Sequence, residues 1–275
     1  MTEITAATFD RPAGYRTIDL IADLGESFGA WTMGRDTEML DMLTSANVAC
    51  GFHAGDPRTM AATVRACADR GIGVGAHPSF PDLVGFGRRT MELSAEEVHT
   101  DTLYQLGALH AFTTAAGVRV QHLAPHGRLG NLAGTRQDYA EAIVAAARDF
   151  DPGLTILAQP GCLAETARQA GLDVALVGMA DRAYRADGGL VPRGEPGAVI
   201  TDPALVGRRT VKLVTEGQVE AIDGTLLDAP VDTILLHGDN AEAVEHARSI
   251  RHALAAAGVT FVPLGQMSRR AGNTP

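Results

Sequence analysis

The amino-acid sequence predicts an α/β fold in which parallel strands form a closed or nearly closed barrel surrounded by helices. Short apolar runs alternate with alanine-rich stretches along the chain, which is the rhythm of strand–helix–strand units. The runs are continuous rather than alternating in polarity, as is typical of parallel strands buried on both faces. Seven or eight such strands in one domain favour a (β/α)7–8 barrel, and a doubly wound open sheet is the alternative.

Eight segments have the length and composition of these strands. Each is four to six residues long, and most are rich in valine, isoleucine, leucine and alanine. The predicted strands cover residues 18–22, 46–50, 72–76, 118–123, 154–158, 173–177, 233–236 and 259–262.

The helices between the strands carry boundary signals. Asp56 followed by Pro57 places a side-chain acceptor at the N-cap and a proline at the first helical position. Ser94 with Glu97 has the spacing of a capping box, and Gly117 is placed to end that helix. These signals predict helices that return the chain from one strand to the next.

The chain of 275 residues is predicted to form one barrel domain over residues 17–275. No linker rich in proline, glycine or serine divides it. Residues 1–16 lack the basic start and apolar core of a signal peptide, so we expect a flexible extension there.

The charge and the cysteines limit the partners and the compartment. The net charge of −10 argues against nucleic acid and anionic membrane surfaces. Cys50, Cys67 and Cys162 are an odd number without metal-type spacing, which is typical of free thiols in a reducing cytoplasm. We therefore expect a cytoplasmic protein that acts on a small molecule. The sequence is also compatible with a homo-oligomer.

Polar side chains follow six of the predicted strands, where a β/α barrel builds its active site. An acidic residue such as Asp56 can also have a purely structural role, as the N-cap of the following helix. The candidate catalytic residues are Asp23, Glu26, His53, His77, His126 and His237. The candidate substrate-binding residues are Asp56, Arg88, Asp181, Arg182 and Asp239.

The loop "AHPSFPDLVGFGRR", residues 76–89, is long and rich in proline, glycine and phenylalanine. It ends in Arg88 and Arg89. We expect it to cover the substrate and to supply a cation, from Arg88 in particular, for a carboxylate. An exposed arginine pair without such a role is the alternative.

The motifs exclude several classes of enzyme. No G-x-S-x-G elbow and no G-x-G-x-x-G after a strand occur, and Lys212 is the only lysine, so a P-loop is absent. Carboxylates and imidazoles remain, which suit acid–base hydrolysis or formation of a C–N bond. The same residues are also suited to holding a divalent metal that activates water. The sequence leaves these two readings open.

Six motifs occur in an order that resembles the LamB/YcsF lactam-utilisation family, the A subunits of prokaryotic 5-oxoprolinase. The resemblance runs from about residue 17 to residue 265, and it is specific at the level of the family. The motifs are "DLIADLGESFG", "LTSANVACGFHAGDP", "GVGAHPSFPDLVGFGRR", "PHGRLGN", "ADRAYRADGGLVPRGEPGAVI" and "LHGD".

The resemblance implies a distorted β/α barrel similar to that of polysaccharide deacetylases. It implies opening of the 5-oxoproline lactam to glutamate, coupled to ATP hydrolysis, in a complex with subunits B and C. ATP would then act through the complex, which agrees with the absence of a P-loop in this chain.

Three positions depart from the family pattern, each by an apolar residue at the expected pocket wall. Ile21 stands where the family usually has asparagine, Ala124 where it has lysine, and Val177 where it commonly has glutamate. A working 5-oxoprolinase subunit is the first hypothesis. A divergent relative acting on another lactam or cyclic amide, or a non-catalytic subunit, is the alternative.

Overall fold

Seven parallel strands close into a barrel, which confirms the predicted architecture and rules out the open sheet. The computed structural model describes residues 17–236 and 242–267, so the extension predicted over residues 1–16 lies outside the described residues. Closure occurs at β1 (Thr17–Leu24), which pairs with β2 (Ser45–Ala49) on one side and β9 (Thr233–Leu236) on the other.

The other strands follow the order of the chain around the ring. All eight predicted strands occur, with ends shifted by up to two residues. Between β2 and β9 the ring contains β3 (Gly73–His77), β4 (Val120–Leu123), β5 (Thr155–Ala158) and β6 (Val174–Met179).

Two features lie outside the ring. The last predicted strand, β10 (Thr260–Phe261), pairs only with the first two residues of β1 and does not enter the barrel. A hairpin of β7 (Gln218–Glu220) and β8 (Leu226–Asp228) was not predicted, because each strand has only three residues.

Helices surround the barrel, as the alternation in the sequence predicts. Among the described residues, no helix has both the length and the apolar character that a membrane crossing requires. The helices are α1 (Asp36–Leu40), α2 (Pro57–Ala68), α3 (Ala95–Ala115), α4 (Gly127–Ala133), α5 (Gln137–Phe150), α6 (Cys162–Gln169), α7 (Pro203–Glu216) and α8 (Ala243–Ala256), and a short 3-10 turn covers Leu264–Gln266.

The capping signals are confirmed. The Asp56 carboxylate accepts hydrogen bonds from the backbone of Arg58 and Thr59 at the start of α2. Ser94 and Glu97 form a reciprocal capping box at α3. Because these caps satisfy backbone donors that the helix cannot, they fix where each helix starts.

A buried polar cluster surrounds Asp19 near the amino ends of the strands. This buried carboxylate accepts hydrogen bonds from the hydroxyls of Thr44, Ser45 and Thr233, at 2.6–2.8 Å. Burial raises the pKa of Asp19, although these hydrogen bonds act in the opposite direction. The cluster ties β1, β2 and β9 together at the point of closure.

An apolar layer lies inside the barrel, between Asp19 and the carboxyl ends of the strands. The three positions that depart from the family pattern, Ile21, Ala124 and Val177, belong to one buried cluster. The other members of this apolar layer are Leu157, Ala175, Leu235 and Leu264. Because the three apolar side chains lie in the same buried cluster, each is removed from water by apolar neighbours, which stabilises the fold.

Candidate active site

Two carboxylates lie where β1 ends. Asp23 is the next-to-last residue of β1, and Glu26 lies two residues after the last residue of the strand, Leu24. Side chains alternate along a strand, so Asp23 shares the inner face with Ile21 and lies above the apolar layer. Asp23 and Glu26 are 6% and 7% exposed. Buried carboxylates need donors or cations around them, so their neighbours decide what they can do.

Three histidines from successive strand ends converge on these carboxylates. His53 follows β2, His77 is the last residue of β3, and His126 follows β4. The Nε2 atom of His53 lies 3.2 Å from Glu26 Oε1. The Nε2 atom of His77 lies 3.3 Å from Asp23 Oδ1. Strands that are distant in the sequence thus deliver five titratable groups to one buried point.

His77 and His126 face each other through one nitrogen each. His77 Nε2 lies 3.0 Å from His126 Nδ1, and the latter lies 3.7 Å from Glu26 Oε1. Each ring donates its other N–H to a backbone carbonyl. His77 Nδ1 donates to Ala124 at 2.6 Å, and His126 Nε2 donates to Phe86 at 2.9 Å. These carbonyls fix the orientation of both rings.

The loop between β3 and α3 packs against the histidines. Phe86 packs its ring edge-on against His53 and His126, and it is the one non-glycine residue with a positive φ in the described part of the chain. A Cβ on Gly87, at φ +64°, would lie 2.1 Å from Ser79 Oγ. The loop is therefore held in a strained conformation directly on the site.

The two arginines at the end of this loop have different environments. Arg89 Nε donates to Asp82 Oδ1 at 2.8 Å, and this pair ties the loop to itself. Arg88 is exposed, with its guanidinium 4.9 Å from the centre of the Phe86 ring. Arg88 is thus the arginine placed above the site.

Asn47 and His122 form a second layer beneath Asp23. Asn47 Nδ2 donates to Asp23 Oδ1 at 2.9 Å, so its Oδ1 atom accepts from His122 Nε2, also at 2.9 Å. The His122 ring fills the space above Gly75, where a Cβ would lie 1.9 Å from Nε2. This relay holds the Asp23 carboxylate in place.

Burial keeps two of the histidines neutral. Desolvation lowers the pKa of His53 well below its ordinary value, and repulsion from His126, His77 and Arg88 acts in the same direction. Desolvation lowers the pKa of His122 to about 3, with a contribution from His77. Because His53 is neutral near pH 7, its Nε2–H can donate to the Glu26 carboxylate.

The cluster also has the composition of a metal site. Glu26, His53, His77 and His126 can each offer one donor atom, and these atoms all lie within 4.8 Å of one another. All four residues are buried.

Asp56 is not part of this cluster. One of its carboxylate oxygens caps α2, and the other accepts from Gly29 N at 2.9 Å and from the Thr59 hydroxyl at 2.8 Å. These bonds lower the pKa of Asp56 to about 2. The structure thus gives Asp56 a capping role that ties the loop after β1 to the start of α2.

Asp181 and Arg182 lie after β6 and are buried. Arg182 donates to the carbonyls of Val191 and Ala198, at 2.6 and 3.2 Å, and thereby folds the segment after β6 onto itself. Burial lowers the pKa of Arg182, and the nearby charges of Arg193 and Arg88 act in the same direction.

His237 and Asp239, the remaining predicted site residues, lie outside the described residues. They follow the last residue of β9 in the sequence. Their roles stay a prediction.

Four residues at the site were not singled out from the sequence: Asn47, His122, Phe86 and Ser79. Asn47 and His122 are polar residues within otherwise apolar strands, and that interruption was the available signal. Phe86 contacts His126 through its backbone carbonyl, and the Ser79 backbone is held by the Gln105 side-chain amide, so composition gives no sign of either.

Comparison with known proteins places this geometry in a family. The LamB/YcsF family matches residues 18–269. The A subunit of 5-oxoprolinase from Methylococcus capsulatus is 51% identical over 251 residues, which cover 91% of this chain and 96% of the relative. The corresponding A subunit from Pyrococcus horikoshii is 47% identical and is covered to 99% of its length.

Solved structures agree with this relationship. The crystal structure of a lactam utilization protein from Thermus thermophilus superimposes with a TM-score of 0.86 at 47% identity, covering 90% of this chain and 99% of that one. The catalytic domain of a peptidoglycan N-acetylglucosamine deacetylase from Eubacterium rectale gives 0.50 at 15% identity, covering 96% of each chain. The second match confirms the predicted likeness in fold to polysaccharide deacetylases. On the match over residues 18–269, the chain belongs to the LamB/YcsF family.

Proposed function

We propose that this chain is the A subunit of an ATP-dependent 5-oxoprolinase, which opens the lactam of 5-oxoproline to give glutamate. Relatives with that name match over 88% or more of this chain at about half identity. The strong match to full-length relatives supports the same reaction here.

One observation carries the proposal. An unbroken series of contacts of 3.0–3.7 Å joins Asp23, His77, His126, Glu26 and His53. Two carboxylates and three imidazoles, all nearly buried, give proton acceptors and donors in a site that excludes most water. Hydrolysis of an amide requires such groups.

Opening the ring adds water across the amide bond. The water oxygen joins the carbonyl carbon, the C–N bond breaks, and the nitrogen leaves as an amine after it gains a proton. We assign Asp23 as the base that takes a proton from the attacking water and returns it to the nitrogen. The amide of Asn47 positions this carboxylate, with His122 behind it.

His53 and Glu26 act as a pair in this proposal. The Nε2–H of neutral His53 holds the Glu26 carboxylate at 3.2 Å, and the His53 ring stacks on His126 with centroids 3.9 Å apart. The pair fixes the negative charge of Glu26 against the imidazole cluster. His77 and His126 complete the wall that faces the reacting carbonyl.

The carboxylate of 5-oxoproline needs a cation. Arg88 is exposed above the cluster, and its charge acts on both His53 and Arg182. We assign Arg88 as the residue that binds the substrate carboxylate, because a guanidinium pairs well with it. The Ser79 hydroxyl, which is buried without a hydrogen-bond partner among the described residues, is the proposed contact for a polar group of the ring.

ATP and the partner subunits enter through the complex. We propose that the chain works with 5-oxoprolinase subunits B and C, and that the γ-phosphoryl group of ATP passes to the lactam oxygen with release of ADP. The attack of water and cleavage of the C–N bond then leave an acyl phosphate, which a second water hydrolyses to glutamate and phosphate. The three free cysteines agree with a cytoplasmic location.

Reconstitution tests the proposal. The purified chain is mixed with B and C subunits, ATP and 5-oxoproline, and glutamate is measured. We expect glutamate only when all components are present. A Glu26→Gln variant that still joins the complex should lose at least about 100-fold in rate, and His110→Gln, on the exposed side of α3, should not. A folded chain that joins both partners and yields no glutamate would refute the assignment.

A second candidate function is the hydrolysis of a more apolar lactam. The observation that favours it is the apolar layer, where Ile21, Ala124 and Val177 meet beneath the site. A panel of lactams with and without a carboxylate, assayed on the same complex, separates the two. A higher kcat/KM for an unsubstituted lactam than for 5-oxoproline would support the second function.

A further inference from the structure

A buried glutamine on α3 holds the turn that follows β3. We propose that Gln105 positions His77 and His126 for the reaction by fixing the backbone of Ser79. The effect on the rate rests on the proposed function, but the contacts that carry the inference do not depend on the substrate.

The Gln105 side chain makes three hydrogen bonds from a fully buried position. It lies on α3 and is 0% exposed. Its Oε1 atom accepts from Ser79 N at 2.9 Å. Its Nε2 atom donates to Ser79 O and to Asp101 O, both at 2.9 Å. Because a buried amide is costly unless its polar atoms are bonded, these partners explain how a glutamine is accommodated here.

The partners fix which way the amide points. Ser79 N–H only donates and the two carbonyl oxygens only accept, so a flipped amide would place like atoms against one another. The side chain therefore pairs with both backbone polar groups of Ser79, as a neighbouring antiparallel strand does in a hydrogen-bonded pair. Gln105 thus supplies sheet-like hydrogen bonds two residues beyond His77, where β3 ends.

The turn held in this way carries one histidine of the site and contacts the backbone of another. His77 comes two residues before Ser79. Pro78, which lies between them, accepts through its carbonyl oxygen from His126 N at 2.8 Å. A displacement of Pro78 and Ser79 would therefore move the backbone of both histidines.

The two imidazoles leave little room for such a displacement. His77 Nε2 lies 3.0 Å from His126 Nδ1 and 3.3 Å from Asp23 Oδ1. A misplacement of about 1 Å in an active site can cost about 100-fold in rate. Gln105 acts on these groups through the backbone of Ser79, so it is a positioning residue rather than a catalytic one.

The first test needs no lactam, ATP or partner subunit. NMR follows the exchange with water of the His77 Nδ1–H proton, which Ala124 O holds in the full chain. Gln105→Met keeps the length of the side chain and removes its three hydrogen bonds, so we expect exchange at least about tenfold faster than in the unmodified protein. Circular dichroism verifies that the variant is folded.

Thr102→Val is the matched control for this measurement. Thr102 is buried on the same helix, and its hydroxyl donates within α3, to Val98 O at 2.7 Å. We expect the control to exchange like the unmodified protein. Equal exchange in Gln105→Met and the unmodified protein, or the same acceleration in Thr102→Val, would overturn the proposal.

The second test uses the pH profile of glutamate formation in the reconstituted complex. In Gln105→Glu the protonated carboxyl can accept from Ser79 N and donate to Ser79 O, but the ionised form has no donor for that carbonyl. Burial raises the pKa of such a carboxyl. The ratio of its kcat to that of the unmodified protein should therefore rise as the pH falls from about 9 to about 6. For Gln105→Met, kcat should stay about 10–100-fold below the unmodified value at every pH.

The ratios isolate the effect of residue 105. Titration of Asp101, His77 and His126 is common to these proteins and cancels. A flat ratio for Gln105→Glu, while the unmodified complex forms glutamate, would overturn this inference and leave the proposed function intact. If the unmodified complex forms no glutamate, the proposed function fails, and the exchange of His77 Nδ1–H still decides whether Gln105 positions this ring.

Discussion

Replacing His122 by glutamine should make the stability of the protein less sensitive to acid. The His122 pKa is about 3 in the folded protein and near its ordinary value of 6.5 in the unfolded chain. As the pH falls below 6.5, the unfolded chain binds a proton at this position and the folded protein does not. Its contribution to stability is therefore fully present above pH 6.5 and is lost as the pH falls towards 3.

The size of the effect follows from the difference in pKa. Each pH unit below 6.5 costs about 1.4 kcal/mol, so the unmodified protein loses about 2 kcal/mol at this position between pH 7 and pH 5. His122→Gln keeps an amide donor for Asn47 and has no group that titrates in this range. His53 acts in the same direction but is present in both proteins, so it cancels from the comparison.

Urea unfolding at pH 7 and pH 5 measures this difference. The free energy of unfolding should fall by about 2 kcal/mol more in the unmodified protein than in His122→Gln. His110→Gln, whose side chain is exposed, should behave like the unmodified protein. Equal losses in the unmodified protein and His122→Gln would refute the view that His122 is buried as a neutral relay to Asp23.

Three further predictions concern the surroundings of the site. Asp56→Ala should lower the urea midpoint of unfolding, and Asp56→Ser, which keeps a capping oxygen, should lower it less. Both variants should leave KM for 5-oxoproline unchanged. A large rise in KM would instead assign Asp56 to substrate binding. Gly87→Ala should cost about 1–3 kcal/mol of stability and most of the activity, because its Cβ would lie 2.1 Å from Ser79 Oγ at φ +64°. The control Gly107→Ala, on α3 with open space around it, should be neutral or stabilising, and equal losses in both variants would refute this reasoning. Arg88→Gln should raise KM for 5-oxoproline by about 10–100-fold with little change in kcat, as loss of a charge-assisted hydrogen bond predicts, and an unchanged KM would remove Arg88 from the site.

The sequence predicts the barrel well because its signals are local. Apolar runs, a capping aspartate before Pro57 and the capping box at Ser94 each depend on neighbouring residues, and all were found where expected. The exception is β10, whose apolar run gave no sign that the barrel had already closed with seven strands.

The site was predictable only in part. Asp23, Glu26, His53, His77 and His126 lie at or just after the carboxyl ends of strands, and the rule that barrel strands deliver residues to one face was enough to group them.

The rest of the site depends on contacts between distant segments. The Asn47–His122 relay spans 75 residues, and the Phe86 carbonyl reaches His126 over 40. The three apolar departures were expected at one wall, and Ile21, Ala124 and Val177 do belong to one buried cluster. That they pack together as an interior layer depends on strand register, which the sequence does not show.

The rate of glutamate formation by an Asp23→Asn variant in the reconstituted complex tests most directly whether Asp23 is the base. The substitution keeps the size of the side chain and an acceptor for Asn47, but it removes the proton-accepting carboxylate. We expect a loss of at least about 100-fold, with unchanged assembly with the partner subunits. Formation of glutamate by the variant within a few-fold of the unmodified rate would show that Asp23 is not the base.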